Sequence, residues 1–414
     1  MSSSQFQLRL ATDPVVCVSL EQIAREGARR ALQKAIEDEV AEYLDTHADQ
    51  RDQSNHRLVV RNGHKPARTI LSGVGPLEVI QPRVDDRRVD ENGVRFRFTS
   101  KILPPYLRKT KAIEDLVPWL YLKGISTGEM PDALVHLGFD GSGLSPTSVV
   151  RMLQAWQGEY EDWSKRDLVG KRYVYLWADG IYFSCRLSDD RPCLLVLMGA
   201  TEDGKKELIA MIDGQRESET SWCALLLDLK ARGMSEPPKL ATGDGSLGFW
   251  LALSKVLPQT RHQRCWVHKT MNVLDKLPKN QQPAAKAMLH NIWMSATRED
   301  ATKAFDRFIE VYRTKWARAT ECLEKDRAEL LAFYDFPAEH WSHLRTSNPI
   351  ESTFATVRLR TYRTKGPGSR HAGLAMAFKL ARKAESRWRK LNGSEKLQDL
   401  IDGIVFVDGE RIAA

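Results

Sequence analysis

Three acids stand out along the 414-residue chain for where they sit rather than for their number. Asp179 interrupts residues 173–183, an aromatic and branched run that reads as a strand buried on both faces. A carboxylate in such a strand is costly unless a counter-charge or a metal meets it. Asp244 closes Lys239-Leu240-Ala241-Thr242-Gly243, a short strand with a helix to follow. Glu351 falls in the first turn of a helix opened by Ser347-Asn348-Pro349-Ile350. Carboxylates delivered by a strand, a strand end and a later helix can together hold two hard divalent cations through oxygen and so serve phosphoryl transfer. Asp179-Gly180 between apolar runs also carries the signature of a hairpin turn, and the stretch alone does not choose between turn and site. Cys265 and His268 form a Cys-x-x-His pair. Zinc takes four ligands and no second pair stands at a suitable spacing, so the pair reads first as support for the active site, then as a phosphate contact, and last as zinc.

The same residues carry a resemblance. Arg61-Asn62-Gly63, Ala178-Asp179-Gly180-Ile181, Asp244-Gly245-Ser246-Leu247-Gly248-Phe249, Arg264-Cys265-Trp266-Val267-His268-Lys269, Asn272, Phe333-Tyr334-Asp335-Phe336-Pro337, His340-Trp341 and the run from Arg345 to Arg358 are similar to the Mutator-type insertion-sequence transposases, a branch of the DDE recombinases. The likeness extends over residues 61–409, and the spacing of the acids fits. It implies a ribonuclease-H-like fold with a helical insertion before the Glu helix. It implies Asp179, Asp244 and Glu351 as catalytic residues and metal ligands for two Mg²⁺, with Mn²⁺ substituting. Asp179 would bridge the pair, and Asp244 and Glu351 would each complete one ion. The partner it implies is DNA, both the element's terminal inverted repeats and a target, handled by at least a homodimer because two ends need two active sites. Two other readings stand beside it: a ribonuclease-H-like metal-dependent nuclease on structured DNA or hybrids, and a non-catalytic DNA-binding derivative.

The elements that must position these residues follow from pattern. Residues 1–54 hold a capped helix whose stripe Leu32, Ile36, Val40 and Tyr43 suits packing on its own chain or dimerisation. Residues 55–100 alternate short β runs with glycines, as a small antiparallel sheet does. Residues 101–165 read as three helices with a Gly turn, like a helix-turn-helix DNA reader, with Lys123, Ser145, Thr147, Ser148 and Arg151 as its candidate DNA contacts. Residues 171–279 give strands, a helix, a strand and a helix, hence an α/β core with a mixed sheet and helices on both faces. Residues 280–340 are a helical insertion in which Trp293 and Trp316 read as core more readily than as base-stacking groups. Residues 341–392 return to the core with the Glu351 helix, and residues 393–414 form a tail. From Ser352 to Asn392 there are eleven Lys or Arg against one acid, Glu385. This is read as a DNA track through Arg358, Arg360, Arg363, Lys365 and Arg370.

Bulk properties agree. The net charge of +8 favours an acidic partner. Six scattered cysteines read as free thiols in a reducing compartment. With no signal-peptide core and no run near the ~18 apolar residues of a span, the expectation is a cytoplasmic, nucleoid-associated protein.

Overall fold

Reciprocal capping starts the first helix: Gln22 N donates to Ser19 Oγ at 3.3 Å and Ser19 N to Gln22 Oε1 at 2.9 Å. The computed structural model describes residues 19–123, 125, 129–136, 146–182, 193–214, 216–245, 247–363 and 369–412. The chain forms two compact units, residues 1–152 and 153–414.

The first unit opens with α1 (Leu20–Thr46), followed by β1 (Val59–His64), β2 (Arg68–Ser72), β3 (Gly75–Val79) and β4 (Pro82–Asp86). The β region is two antiparallel ribbons, β1 with β4 and β2 with β3, rather than one sheet. The apolar stripe of α1 faces them: Ile36 clusters with Ile70, Val79 and Leu103, with Leu32 packed alongside. Gln33 completes β3 like a strand partner, its side chain bonding both N and O of Ile80 at 3.0 and 2.8 Å. Helices α2 (Lys111–Lys123) and α3 (Met130–His136) follow, and α4 (Pro146–Ser164) runs across the boundary between the units.

The second unit is built on a five-stranded mixed sheet in the order β7-β6-β5-β8-β9. Its members are β5 (Tyr173–Tyr182), β6 (Cys193–Thr201), β7 (Lys206–Gly214), β8 (Leu240–Gly243) and β9 (Arg261–Arg264). The first three pair antiparallel; β8 joins β5 in parallel and β9 joins β8 in parallel. Strand β5 runs unbroken through Asp179 and Gly180, pairing them with Val196 and Leu195, so Asp179 is a strand residue and not a turn. Strand β6 is buried along its whole length, as expected of a central strand covered on both faces.

Helix α5 (Glu219–Ala231), capped by Ser218, packs against α6 (Leu247–Val256), and Trp222, Leu226, Phe249 and Leu253 seal them onto the sheet. Gly248 lets α6 press on the loop before α5: a β-carbon there would lie 2.3 Å from the Glu217 carbonyl oxygen.

Two places differ from what the sequence pattern suggests. Residues 262–266 pattern as one strand, but β9 ends at Arg264 and Trp266 begins α7 (Trp266–Leu274). Cys265 N still pairs with Gly243 O, and then Trp266 N turns to Arg345 O. Residues 319–334 pattern as one helix, yet the chain is broken there into α10 (Ala317–Glu324), α11 (Arg327–Leu330) and a 3₁₀ turn at Ala332–Asp335, after α8 (Gln282–Met294) and α9 (Arg298–Tyr312). The break falls at buried Asp326, whose carboxylate meets Lys269 and Arg264 and so cannot stay on a solvated helix face. Next come α12 (Trp341–Leu344), α13 (Asn348–Arg363), α14 (Arg370–Glu385), α15 (Leu397–Ile401), β10 (Phe406–Val407) and β11 (Glu410–Arg411). Trp293 carries Arg345 over its ring and Trp316 stacks near Tyr312, so both are engaged within the fold. Cys193, Cys223, Cys265 and Cys322 are free thiols. Among the described residues no helix is long and apolar enough to cross a membrane.

Candidate active site

Parallel pairing of β5 with β8 sets the first two acids. Ala178 pairs with Gly243, so Asp179 and Asp244 are the next residues on adjacent strands. Glu351 arrives from the other side of the helical insertion, and its placement rests on one backbone bond and several made by side chains. Trp177 Nε1 donates to His343 O at 2.9 Å, and Thr242 Oγ1 to Leu344 O at 2.7 Å. Trp266 N donates to Arg345 O at 2.9 Å and Ser347 N to Cys265 Sγ at 3.3 Å. Trp177 and Thr242 each stand two residues before one of the aspartates. The strands that carry the first two acids therefore also hold the segment that delivers the third.

Ser347 completes the placement. It is fully buried, and its hydroxyl donates to Glu351 Oε1 at 2.8 Å, with Cys265 Sγ at 3.2 Å and His268 Nδ1 at 3.4 Å around it. His268, on α7, stands between two of the acids: Nδ1 is 4.0 Å from Asp244 Oδ1 and Nε2 is 3.7 Å from Glu351 Oε1. Its pKa is raised to about 9, by the hydrogen bond to Cys265 first and by the charges of Asp244 and Glu351, against burial. Burial pushes the Asp179 carboxyl up to about 7; Glu351 and Glu217 add to this, and His268 and Arg358 oppose it. A carboxylate this unwilling to ionise beside like charges is the chemistry that a cation relieves. Among the described residues, the group of His, Cys, Asp or Glu whose ligand atoms all lie within 4.8 Å of one another is Cys265, His268 and Glu351, and neither Asp179 nor Asp244 belongs to it. The oxygen donors of Asp179, Asp244 and Glu351 are of the kind that suits Mg²⁺ or Mn²⁺.

His268 thus links Asp244 and Glu351, Cys265 and Ser347 lie against it, and Asp179 is near enough to feel the charges of His268 and Glu351. Three further contributors went unread in the sequence. Glu217 lies over Gly180, where a β-carbon would sit 2.0 Å from Glu217 Oε1, so only glycine leaves this fourth carboxylate its place. In the sequence Glu217 merely precedes a helix cap. Ser347 and Thr242 resemble ordinary cap and strand residues until the fold is known. Beside Asp244 a cleft of about 560 Å³ is lined by Lys276, Arg318 and Lys325 together with Asn272.

Of the expected DNA contacts, Arg151, Arg358 and Arg370 have described side chains. Arg151 is exposed on α4. Arg358 is exposed on α13 and donates to Glu351 O at 3.3 Å. Arg370 grips Asp213 through two bonds of 2.8 Å. Ser145 and Lys365 lie outside the described residues, as do the side chains of Lys123, Thr147, Ser148, Arg360 and Arg363.

Comparison with known proteins places this chain in a class. Residues 2–390 match the family model described as Transposase, Mutator family. The chain belongs to that family of transposases. It is 51% identical over 288 residues to the transposase for insertion sequence element IST2 of Acidithiobacillus ferrooxidans, covering 68% of this chain and 95% of that protein. It is 48% identical over 297 residues to the transposase for insertion sequence element IS6120 of Mycolicibacterium smegmatis, covering 72% of this chain and 92% of the relative. A solved intasome of simian T-cell lymphotropic virus, in complex with a PP2A regulatory subunit, overlaps 31% of this chain and 50% of that one at 18% identity and a TM-score of 0.18, a likeness too slight to carry an argument.

Proposed function

We propose that this chain is the transposase of an insertion sequence, cutting element ends and joining them to DNA by phosphoryl transfer. Asp179, Asp244 and Glu351 hold the two divalent cations. The observation that carries this reading is the tethering just described: bonds from the strands and helix around Asp179 and Asp244 secure the segment that presents Glu351. The sheet order, three antiparallel strands followed by two parallel ones, supports a ribonuclease-H-like core. Helices α2, α3 and α4 are kept as the helix-turn-helix reader of terminal repeats, and a homodimer on DNA as the working assembly.

The cations, when bound, supply an activated oxygen nucleophile and a stabilised leaving oxygen. The chain's own part is placement and charge. Asp179 and Asp244 are fixed by strand pairing, and Glu351 by Ser347. His268, protonated at neutral pH, offsets the repulsion of the acids around it. Lys276, Arg318 and Lys325 in the cleft beside Asp244 offer phosphate contacts along a strand leaving the site.

The test is a cleavage and strand-transfer assay on DNA ends carrying the element's terminal repeats. Asp179→Asn, Asp244→Asn and Glu351→Gln should each abolish both steps while end binding persists. Retained cleavage in Asp179→Asn would refute the assignment. Hydrolysis of branched DNA or hybrids without joining would favour the nuclease reading instead.

A further inference from the structure

In the first unit Tyr106 is the third residue of a turn, Pro104–Leu107, closed by Leu107 N donating to Pro104 O at 3.3 Å. Tyr106 has φ 66°, the left-handed region that a bulky side chain adopts at a cost, and its side chain is 92% exposed. A ring that exposed buries almost no surface, so packing does not compensate the backbone.

The loop holds this geometry firmly. On one side Glu39 accepts from Ser100 Oγ at 2.5 Å and from Lys101 N at 2.6 Å, and Leu103 is buried in the cluster with Ile36, Ile70 and Val79. On the other side Leu107 packs on the same cluster, Leu71 N donates to Arg108 O and Thr110 N donates to Leu71 O, both at 2.9 Å. Arg68 Nη2 reaches the carbonyl oxygens of Leu103 and Pro104 at 3.4 and 3.2 Å. Tyr106 is therefore the raised tip of a rigid loop.

The charge around the tip names the partner. Within five positions of Tyr106 the charged residues are Lys101, Arg108, Lys109 and Lys111, with no acid among them. Lys101 and Arg108 are exposed on either side of the tip. A cleft of about 240 Å³ at its foot is lined by Lys65, Arg68, Gln81, Ser100 and Pro105. An exposed aromatic face among cations is what an unstacked base and its phosphates recognise.

We propose that Tyr106 is a base-stacking platform for DNA, with Lys65, Arg68 and Arg108 taking the flanking phosphates. The proposal rests on the reading that this chain handles DNA, and adds a contact that the acids at Asp179, Asp244 and Glu351 do not provide.

The test uses the full chain with a mixed-sequence single-stranded oligonucleotide, a duplex of equal length, and the single strand carrying 2-aminopurine. Tyr106→Ala should weaken single-strand binding by about 5- to 100-fold and abolish the quenching of 2-aminopurine that stacking produces. Tyr106→Trp should keep both. Tyr106→Gly is the discriminating variant: it should lose binding like Ala yet unfold at a higher temperature, because glycine relieves the strain. Arg108→Ala should lower the slope of log affinity against log salt by about one contact, while the Tyr106 variants leave it unchanged. Wild-type affinity in Tyr106→Ala would overturn the platform and leave the catalytic reading intact. Wild-type protein that binds neither DNA would sink the DNA reading itself. Loss of self-association with unchanged DNA affinity would assign the tip to a second copy and overturn the proposal.

Discussion

The candidate site holds its acids in two different ways. Asp179 and Asp244 are placed by the backbone, since parallel pairing of β5 and β8 fixes them as neighbours before any side chain is considered. Glu351 is placed mainly by side chains: bonds donated by Trp177, Thr242 and the Ser347 hydroxyl, and one that Cys265 accepts from Ser347 N, join a single backbone bond in bringing in a helix from beyond the insertion. Strand placement is rigid and cooperative, whereas side-chain tethering can be undone one bond at a time. The two kinds of acid should therefore fail differently when their surroundings are altered.

The largest effect should come from the acids themselves. Asp179→Asn or Asp244→Asn should lower end cleavage by about 10³-fold or more, with little change in unfolding temperature. Next comes the tether unique to Glu351. Ser347→Ala should lower cleavage by about 10- to 100-fold, and combining it with Cys265→Ala should add little, since both act on one placement. Additive losses in that pair would show that Ser347 and Cys265 serve separate ends. A smaller effect is expected of Thr242→Val, which leaves the buried Leu344 carbonyl without this donor. It should cost about 1–3 kcal/mol in denaturant unfolding and reduce activity through Glu351, so that raising Mn²⁺ recovers more activity in Thr242→Val than in Asp244→Asn.

The smallest effect is a pH slope. Burial, with Lys206 3.3 Å away, lowers the His343 pKa from 6.5 to about 4. The folded state then binds fewer protons than the unfolded chain between those values, so stability should fall as pH drops from 6.5 to about 4. His343→Gln should flatten that slope in unfolding curves taken across the range.

The same division explains what the sequence disclosed. Residues placed by backbone pattern are legible: the strand around Asp179, the strand end at Asp244 and the helix carrying Glu351 all follow from period and punctuation. Whether Asp179 was a turn or a strand residue could not be read locally, because Asp-Gly has the same signature in both, and only the pairing with Val196 decides it. Residues placed by tertiary contact left little trace. Ser347 looks like a helix cap, Thr242 like any strand threonine, and Glu217 becomes notable only once Gly180 lies beneath it. The helix break at Asp326 was hidden for the same reason, since its cause is Lys269, far away in the chain.

The tethering of residues 343–347 bears on how such a chain can change. Those bonds grip the chain on the arriving side of residues 280–340, and Asp326 within that stretch is held in turn by Lys269 and Arg264, on either side of Cys265. Drift there is thus confined to solvent-facing positions, since a change at Asp326 would reach the cutting centre through its two partners.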